Sequence, residues 1–157
     1  MYPVLEVYPE RIKNNAQTIS QLCHKRGISV TGVVKGCNNI PEVVNALIEG
    51  GVDYIADSRI KRFKNLKKIC ADLSTTLLRI PGLSELKEVV SFSDISLNSE
   101  IKIIKLLNQA AVKLNKKHGV ILMVELGDLR EGIYPAEKSI EQVVEVEKLK
   151  NIELRGI

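Results

Sequence analysis

Short runs of β-branched and aliphatic residues alternate along this chain with longer stretches whose apolar residues recur every three or four positions. The runs predict strands at Val4–Tyr8, Val30–Lys35, Tyr54–Asp57, Thr76–Ile80, Ile95–Asn98, Val120–Glu125 and Ile152–Ile157. Between them, Ile101, Ile104, Leu107, Ala111 and Leu114 share one helical face, as do Ile140, Val143, Val144 and the later Leu149. Val120 to Val124 is apolar at every position, the pattern of a strand covered on both faces in a parallel sheet. Alternating β and α elements joined by right-handed crossovers leave two architectures, a doubly wound sheet or a β/α barrel.

Polar positions favour the barrel. Lys35, Ser58, Arg79, Asn98 and Arg130 each fall at or just after the end of a predicted strand. The first four are spaced by 23, 21 and 19 residues, about one βα unit each. In a barrel such positions converge on the C-terminal rim, where sites are built; in an open sheet only those near the switch point meet. For Ser58 and Asn98 helix capping is an equally good reading. A complete eight-stranded barrel takes about 250 residues, and this chain has 157, ending inside its last predicted strand. The expectation is a partial TIM-like (β/α) barrel of mainly parallel strands, truncated before its last strands and a C-terminal β-domain. Residues 1–9 then form a leading strand outside the barrel and residues 10–157 the incomplete barrel domain.

Composition narrows the function. The net charge of +4 is mild, its cations are spread through predicted helices, and aromatics make up 4%, so a nucleic-acid surface is not indicated. No stretch approaches the ~20 apolar residues of a membrane span, and the N-terminus lacks a signal-peptide pattern. The three cysteines form no CxxC pair and the chain has two histidines, so no metal site is expected. Reduced thiols fit a cytoplasmic protein. Neither a Walker A nor a Rossmann glycine fingerprint occurs.

Lys35 is the strongest candidate for chemistry. It closes the run Thr31-Gly32-Val33-Val34-Lys35-Gly36, where Thr31, Val33 and Lys35 share a strand face. An amine at the mouth of an apolar barrel is partly desolvated, which favours its free, nucleophilic form, and such a lysine forms a Schiff base with a carbonyl compound. The plain alternative is a snorkelling lysine with a buried stem. Arg130, in Gly127-Asp128-Leu129-Arg130-Glu131-Gly132, sits between glycines in a loop able to aim its guanidinium at a carboxylate, phosphate or phenolate; the alternative is an exposed turn with solvated charges. Arg79, in Leu77-Leu78-Arg79-Ile80-Pro81, is charged within an apolar strand. It must bind substrate or cofactor or close a structural ion pair. Cys37 has no histidine–carboxylate set to activate it.

In order and spacing, these segments resemble the N-terminal domain of fold-type III pyridoxal-phosphate enzymes, the alanine racemase family. The likeness runs from Tyr2-Pro3-Val4-Leu5-Glu6-Val7 through Gly32-Val33-Val34-Lys35-Gly36, Val52–Ile60, Leu77–Pro81 and Asp94–Glu100 to Glu125–Gly132, essentially the whole chain. It is most similar to the family's ornithine racemase branch. The resemblance implies that Lys35 carries pyridoxal 5'-phosphate as a Schiff base and that Arg130 contacts the cofactor's phenolic oxygen. It also implies an amino-acid substrate, racemisation between L- and D-isomers, a second acid/base from a partner subunit's C-terminal domain, and a homodimer. The chain alone is expected to be a poor racemase or an inactive one. Where the family has a tyrosine that helps hold the phosphate, this chain runs Gly36-Cys37-Asn38-Asn39-Ile40, and Met123 stands where some members carry a carbamylated lysine. Two alternatives keep Lys35: a non-catalytic pyridoxal-phosphate-binding protein of the same barrel fold, and a cofactor-free lysine aldolase.

Overall fold

The computed structural model describes residues 3–157, with the side chains of Glu137 and Lys138 left aside. Six parallel strands form one sheet in chain order: β1 (Thr31–Val33), β2 (Tyr54–Asp57), β3 (Ser74–Leu77), β4 (Ile95–Asn98), β5 (His118–Leu122) and β6 (Ile152–Gly156). The helices are α1 (Pro9–His24), α2 (Pro41–Glu49), α3 (Phe63–Ile69), α4 (Leu86–Phe92), α5 (Ile101–Lys113) and α6 (Glu137–Glu147). Each strand pairs with the next in sequence, the arrangement of successive barrel staves rather than of a doubly wound sheet with a switch point.

One face of the sheet packs against the helices. Val34, Ile55, Leu77 and Val120 meet Val44, Phe63, Leu66, Val89, Ile104 and Leu107 in a continuous core with every one of these side chains fully buried. Gly50 lets α1 close down on the end of α2, since a Cβ there would lie 2.4 Å from the Ala16 Cβ. The other face is concave, a cavity of ≈ 470 Å³ lined by Thr31, Val33, Thr76, Leu78, Leu97 and Ile121 among others. Full burial of both faces, expected of Val120–Val124, is met in part: Val120 and Leu122 are buried but Ile121, Met123 and Val124 only partly, and on β1 Val33 is 48% exposed, because six staves leave the inner face open.

Strand boundaries differ from the predicted ones for identifiable reasons. Val4–Tyr8 forms no strand among the described residues, since no neighbouring strand is present to receive its hydrogen bonds, and residues 1–2 of the predicted leading segment lie outside them. β3 starts and ends earlier than Thr76–Ile80. Thr75 is drawn into the ladder by Asp94, whose carboxylate accepts from its N–H at 2.7 Å and its hydroxyl at 2.9 Å. Lys67 pairs with the same carboxylate. Burial alone would raise the Asp94 pKa, yet Lys67 and Thr75 outweigh it and hold the carboxyl below its ordinary range. β5 begins at His118, two residues before the predicted start, and the chain leaves the sheet after Met123 N–H donates to the Asn98 carbonyl at 2.8 Å.

Candidate functional site

Because every strand runs the same way, all the predicted rim residues fall at the C-terminal end of the sheet. Lys35 lies two residues past β1, Ser58 directly follows β2, Arg79 lies two residues past β3, Asn98 ends β4, and Arg130 sits in the loop after β5. Lys35 and Arg130 thus share an end of the fold, from strands four positions apart in the sheet.

At Lys35 the chain turns out of the sheet. Val34 N–H makes a last ladder bond to the Ala56 carbonyl at 2.9 Å, and Lys35–Cys37 then form a single 3₁₀ turn. Asn38 and Asn39 follow with φ of 54° and 56°, a left-handed pair that asparagine tolerates better than most residues. Thr31 and Val33 are exposed and line the cavity while Gly32 is buried, so the predicted alternation holds within β1; Lys35 lies beyond the strand, in the 3₁₀ turn. The Lys35 side chain is exposed, however, and the partial desolvation expected of it is not met, again because the inner face is open. Its ε-amine makes no hydrogen bond or ion pair among the described residues, whereas its carbonyl accepts from Arg62 Nη1 at 3.2 Å. Four residues on, Asn39 is buried with neither amide atom hydrogen-bonded. Asn98 is fully buried too, its Oδ1 unpartnered.

The Arg130 loop is a built structure. A bridge between Val124 and Ile133 closes its base, with Ile133 N–H donating to the Met123 carbonyl at 2.7 Å and Glu125 N–H to the Ile133 carbonyl at 3.0 Å. Inside the loop, Glu125 Oε1 accepts from the N–H groups of Leu129 at 3.0 Å and Gly127 at 2.5 Å. Those N–H groups, Leu129 first, hold the Glu125 carboxyl below its ordinary pKa. The Arg130 side chain projects with 76% of its surface exposed, its Nε 3.9 Å from a Glu131 oxygen.

Arg79 sits outside the strand that was expected to contain it, because the ladder stops after Leu78 N–H meets the Asp57 carbonyl at 3.0 Å. Its guanidinium donates to the Ser58 carbonyl at 2.7 Å, the Ile80 carbonyl at 3.1 Å and Glu85 Oε2 at 2.7 Å. Burial opposes ionisation of Glu85, but Arg79 and the Gly82 N–H prevail and keep its pKa low. Of the two roles open to Arg79, the ion pair is the one its contacts occupy.

Asp57 and Arg62 carried no sequence signal. Asp57 is fully buried at the end of β2. It accepts from Arg59 N–H at 2.9 Å through Oδ1 and pairs with Arg62 Nη1 at 3.3 Å through Oδ2. Arg62 belongs to the basic stretch Arg59-Ile60-Lys61-Arg62-Phe63-Lys64, whose pattern singles out no one of its cations. Its contact with Lys35 spans 27 residues, beyond the reach of local spacing.

Comparison with known proteins places this arrangement. The family model described as "Alanine racemase, N-terminal domain" matches residues 7–157. Ornithine racemase of Acetoanaerobium sticklandii is 47% identical over 159 aligned residues, covering 100% of this chain and 44% of that protein. Lysine racemase of Thermotoga maritima is 30% identical, covering 92% of this chain and 41% of that protein. Alanine racemase of Clostridium difficile 630, solved in complex with cycloserine, superposes with a TM-score of 0.81 at 22% identity, covering 94% of this chain and 41% of that one. The chain thus spans less than half the length of these relatives.

Proposed function

Because the chain belongs to the alanine racemase N-terminal domain family, we propose that it is the N-terminal, cofactor-binding portion of a pyridoxal-phosphate-dependent amino-acid racemase acting on ornithine or alanine. The 47% identity to an ornithine racemase, with a lysine racemase also among the relatives, favours the basic substrate. These relatives are racemases, and nothing comparable favours the non-catalytic carrier.

The residues present fit the cofactor. Lys35 offers an exposed, unengaged primary amine at the C-terminal rim, Arg130 an exposed guanidinium from the same rim, and Asn39, four residues beyond Lys35, a buried amide with neither atom hydrogen-bonded. Pyridoxal phosphate, when bound, supplies an electron sink for the charge left as a Cα proton departs. Lys35 would hold it through the ε-nitrogen, and the same nitrogen would take or return a proton on one face of the substrate Cα. Arg130 would hold the phenolic oxygen; its guanidinium stays charged, so it binds there without giving up a proton. Arg79 stands beside them as a substrate contact or, as its partners favour, a tether between the rims of β2 and β3. Residues 1–9, whose Val4 and Leu5 are 82% and 78% exposed, would pack on a C-terminal domain that supplies the opposing acid/base across a homodimer. A cytoplasmic setting agrees with the free thiols of Cys23, Cys37 and Cys70.

The observation that carries this reading is the free Lys35 amine at the rim of an all-parallel sheet. It is tested by loading the protein with pyridoxal phosphate, reducing with borohydride and mapping the label by peptide mass. The label is expected on Lys35 and lost in Lys35→Ala, alongside formation of D-ornithine from L-ornithine by the unreduced full-length protein that includes the C-terminal domain. A label on another lysine, or none, refutes the assignment.

A further inference from the structure

The amine of Lys35 can serve a bound cofactor only if the backbone beneath it is held still, and the local chain does little to hold it. The next residue is Gly36, around which a Cβ would meet nothing within 4 Å, so packing does not restrain that peptide. The ladder to β2 ends with Val34 N–H on the Ala56 carbonyl. One residue further, a side chain takes over: Arg62 Nη1 donates to the Lys35 carbonyl at 3.2 Å and to Asp57 Oδ2 at 3.3 Å.

The cation in this bridge is well secured. Asp57 is fully buried at the end of β2, and its other oxygen is held by Arg59 N–H. The Arg62 side chain is 19% exposed. A buried carboxylate needs a paired charge and hydrogen bonds to stay ionised without a large penalty. Arg62 supplies both, and still has a donor for the Lys35 carbonyl.

We propose that the Asp57–Arg62 pair is a positioning device for Lys35: Arg62 fixes the Lys35 peptide to the rim of β2 and so sets the direction of the ε-amine, while Asp57 holds Arg62 in place. Arg62 touches neither cofactor nor substrate in this account; it acts through the lysine. The inference rests on the reading of Lys35 as the cofactor-bearing residue. It adds that the lysine's orientation is set from β2, through a contact 27 residues away.

The test uses the pyridoxal-phosphate holoprotein and three variants. Arg62→Met removes both hydrogen bonds; Arg62→Lys retains a cation able to donate; Asp57→Asn/Arg62→Met removes both charges together, so that no carboxylate is left buried alone. The readouts are cofactor affinity, the visible circular dichroism of the bound cofactor, and the pH midpoint of its visible absorption. Arg62→Met is expected to weaken cofactor binding by about tenfold, the scale of one charge-assisted hydrogen bond. It should also reduce the dichroic band and move the pH midpoint, with Arg62→Lys recovering most of each. If Arg62→Met fails to fold, the double variant decides, and it should show the same losses. A folded Arg62→Met or double variant with wild-type affinity, dichroism and pH midpoint overturns the proposal. Borohydride mapping separates the two levels: a label off Lys35 refutes the parent reading, whereas a label on Lys35 with unaltered Arg62 variants refutes this one alone.

Discussion

Gly132 occupies a backbone position that strains any other residue. Its φ is +148°, and an added Cβ would lie 2.3 Å from Glu125 N and 2.6 Å from the Val124 carbonyl carbon. Both neighbours are main chain at the base of the Arg130 loop, so nothing can swing aside. Gly132→Ala is expected to cost about 2 kcal/mol through strain and displacement of the bridge. Urea denaturation should show the loss, and protease cleavage within 125–132 should accelerate. Gly36→Ala is the control: nothing lies within 4 Å of its Cβ position, and the change should stay within about 0.5 kcal/mol. Equal effects at the two glycines would refute this account of the loop. At this scale the sequence was partly legible. Lys35 stood out because a charge ends an apolar strand, and Arg130 because glycines flank it. Arg62 and Asp57 did not, since what matters in them is a contact with a carbonyl distant in sequence.

Between β4 and β5 lies a polar ladder inside an apolar layer. Asn98 Nδ2 donates to Ser96 Oγ at 2.9 Å, and Ser96 Oγ lies 2.8 Å from His118 Nε2, with all three side chains buried. The Asn98 donor leaves the Ser96 hydroxyl proton free for Nε2, which suits a neutral imidazole. Burial pushes the His118 pKa down from 6.5 to about 4, offset only in part by the Ser93 backbone and the charge of Asp94. Between those two pH values the unfolded chain takes up a proton that the folded chain refuses. Stability therefore falls as pH drops from about 6.5 to about 4 and levels off below, with up to about 3 kcal/mol lost from this one group. Denaturant titrations at a series of pH values should show the slope, and His118→Gln should flatten it whatever its effect at neutral pH. An unchanged slope in that variant would assign the acid sensitivity to other groups. The element boundaries that sequence missed lie here, in β3 and in β1, where Val30–Lys35 was expected and the strand is Thr31–Val33. Strand propensity favoured Val120 over His118 and Thr76 over Ser74, whereas the structure extends each strand where a polar side chain finds a partner, His118 on buried Ser96 and Thr75 on half-exposed Asp94. β2, β4 and β6 were readable from their aliphatic residues even though Asp57, Ser96 and Asn98 are buried among them. The α5 face was readable too, with Ile104, Leu107 and Ala111 buried, whereas on α6 Ile140 and Val144 are exposed and Val146 is the buried residue.

On the scale of the whole chain, the sheet has two unpaired edges, β1 and β6, and a concave inner face. The barrel architecture was legible from the rhythm of strand-end polar residues, but the openness of that face depends on how many staves are present, a property of no single segment. Unpaired parallel edges beside partly exposed aliphatic side chains favour pairing with another chain. Val33 combines both conditions, lying on the edge strand with 48% of its surface exposed toward the cavity. The net charge of +4 is too small to suppress such contacts. The 157-residue polypeptide should therefore associate in a concentration-dependent way in sedimentation experiments. Val33→Lys should weaken that association by about tenfold, because pairing would then bury a charge. This residue is exposed, so the substitution should leave the melting temperature nearly unchanged. Association unaffected by Val33→Lys would move the contact to the β6 edge or the helical surface; a chain monomeric at every concentration would mean that the open face and its edges are protected by their own geometry.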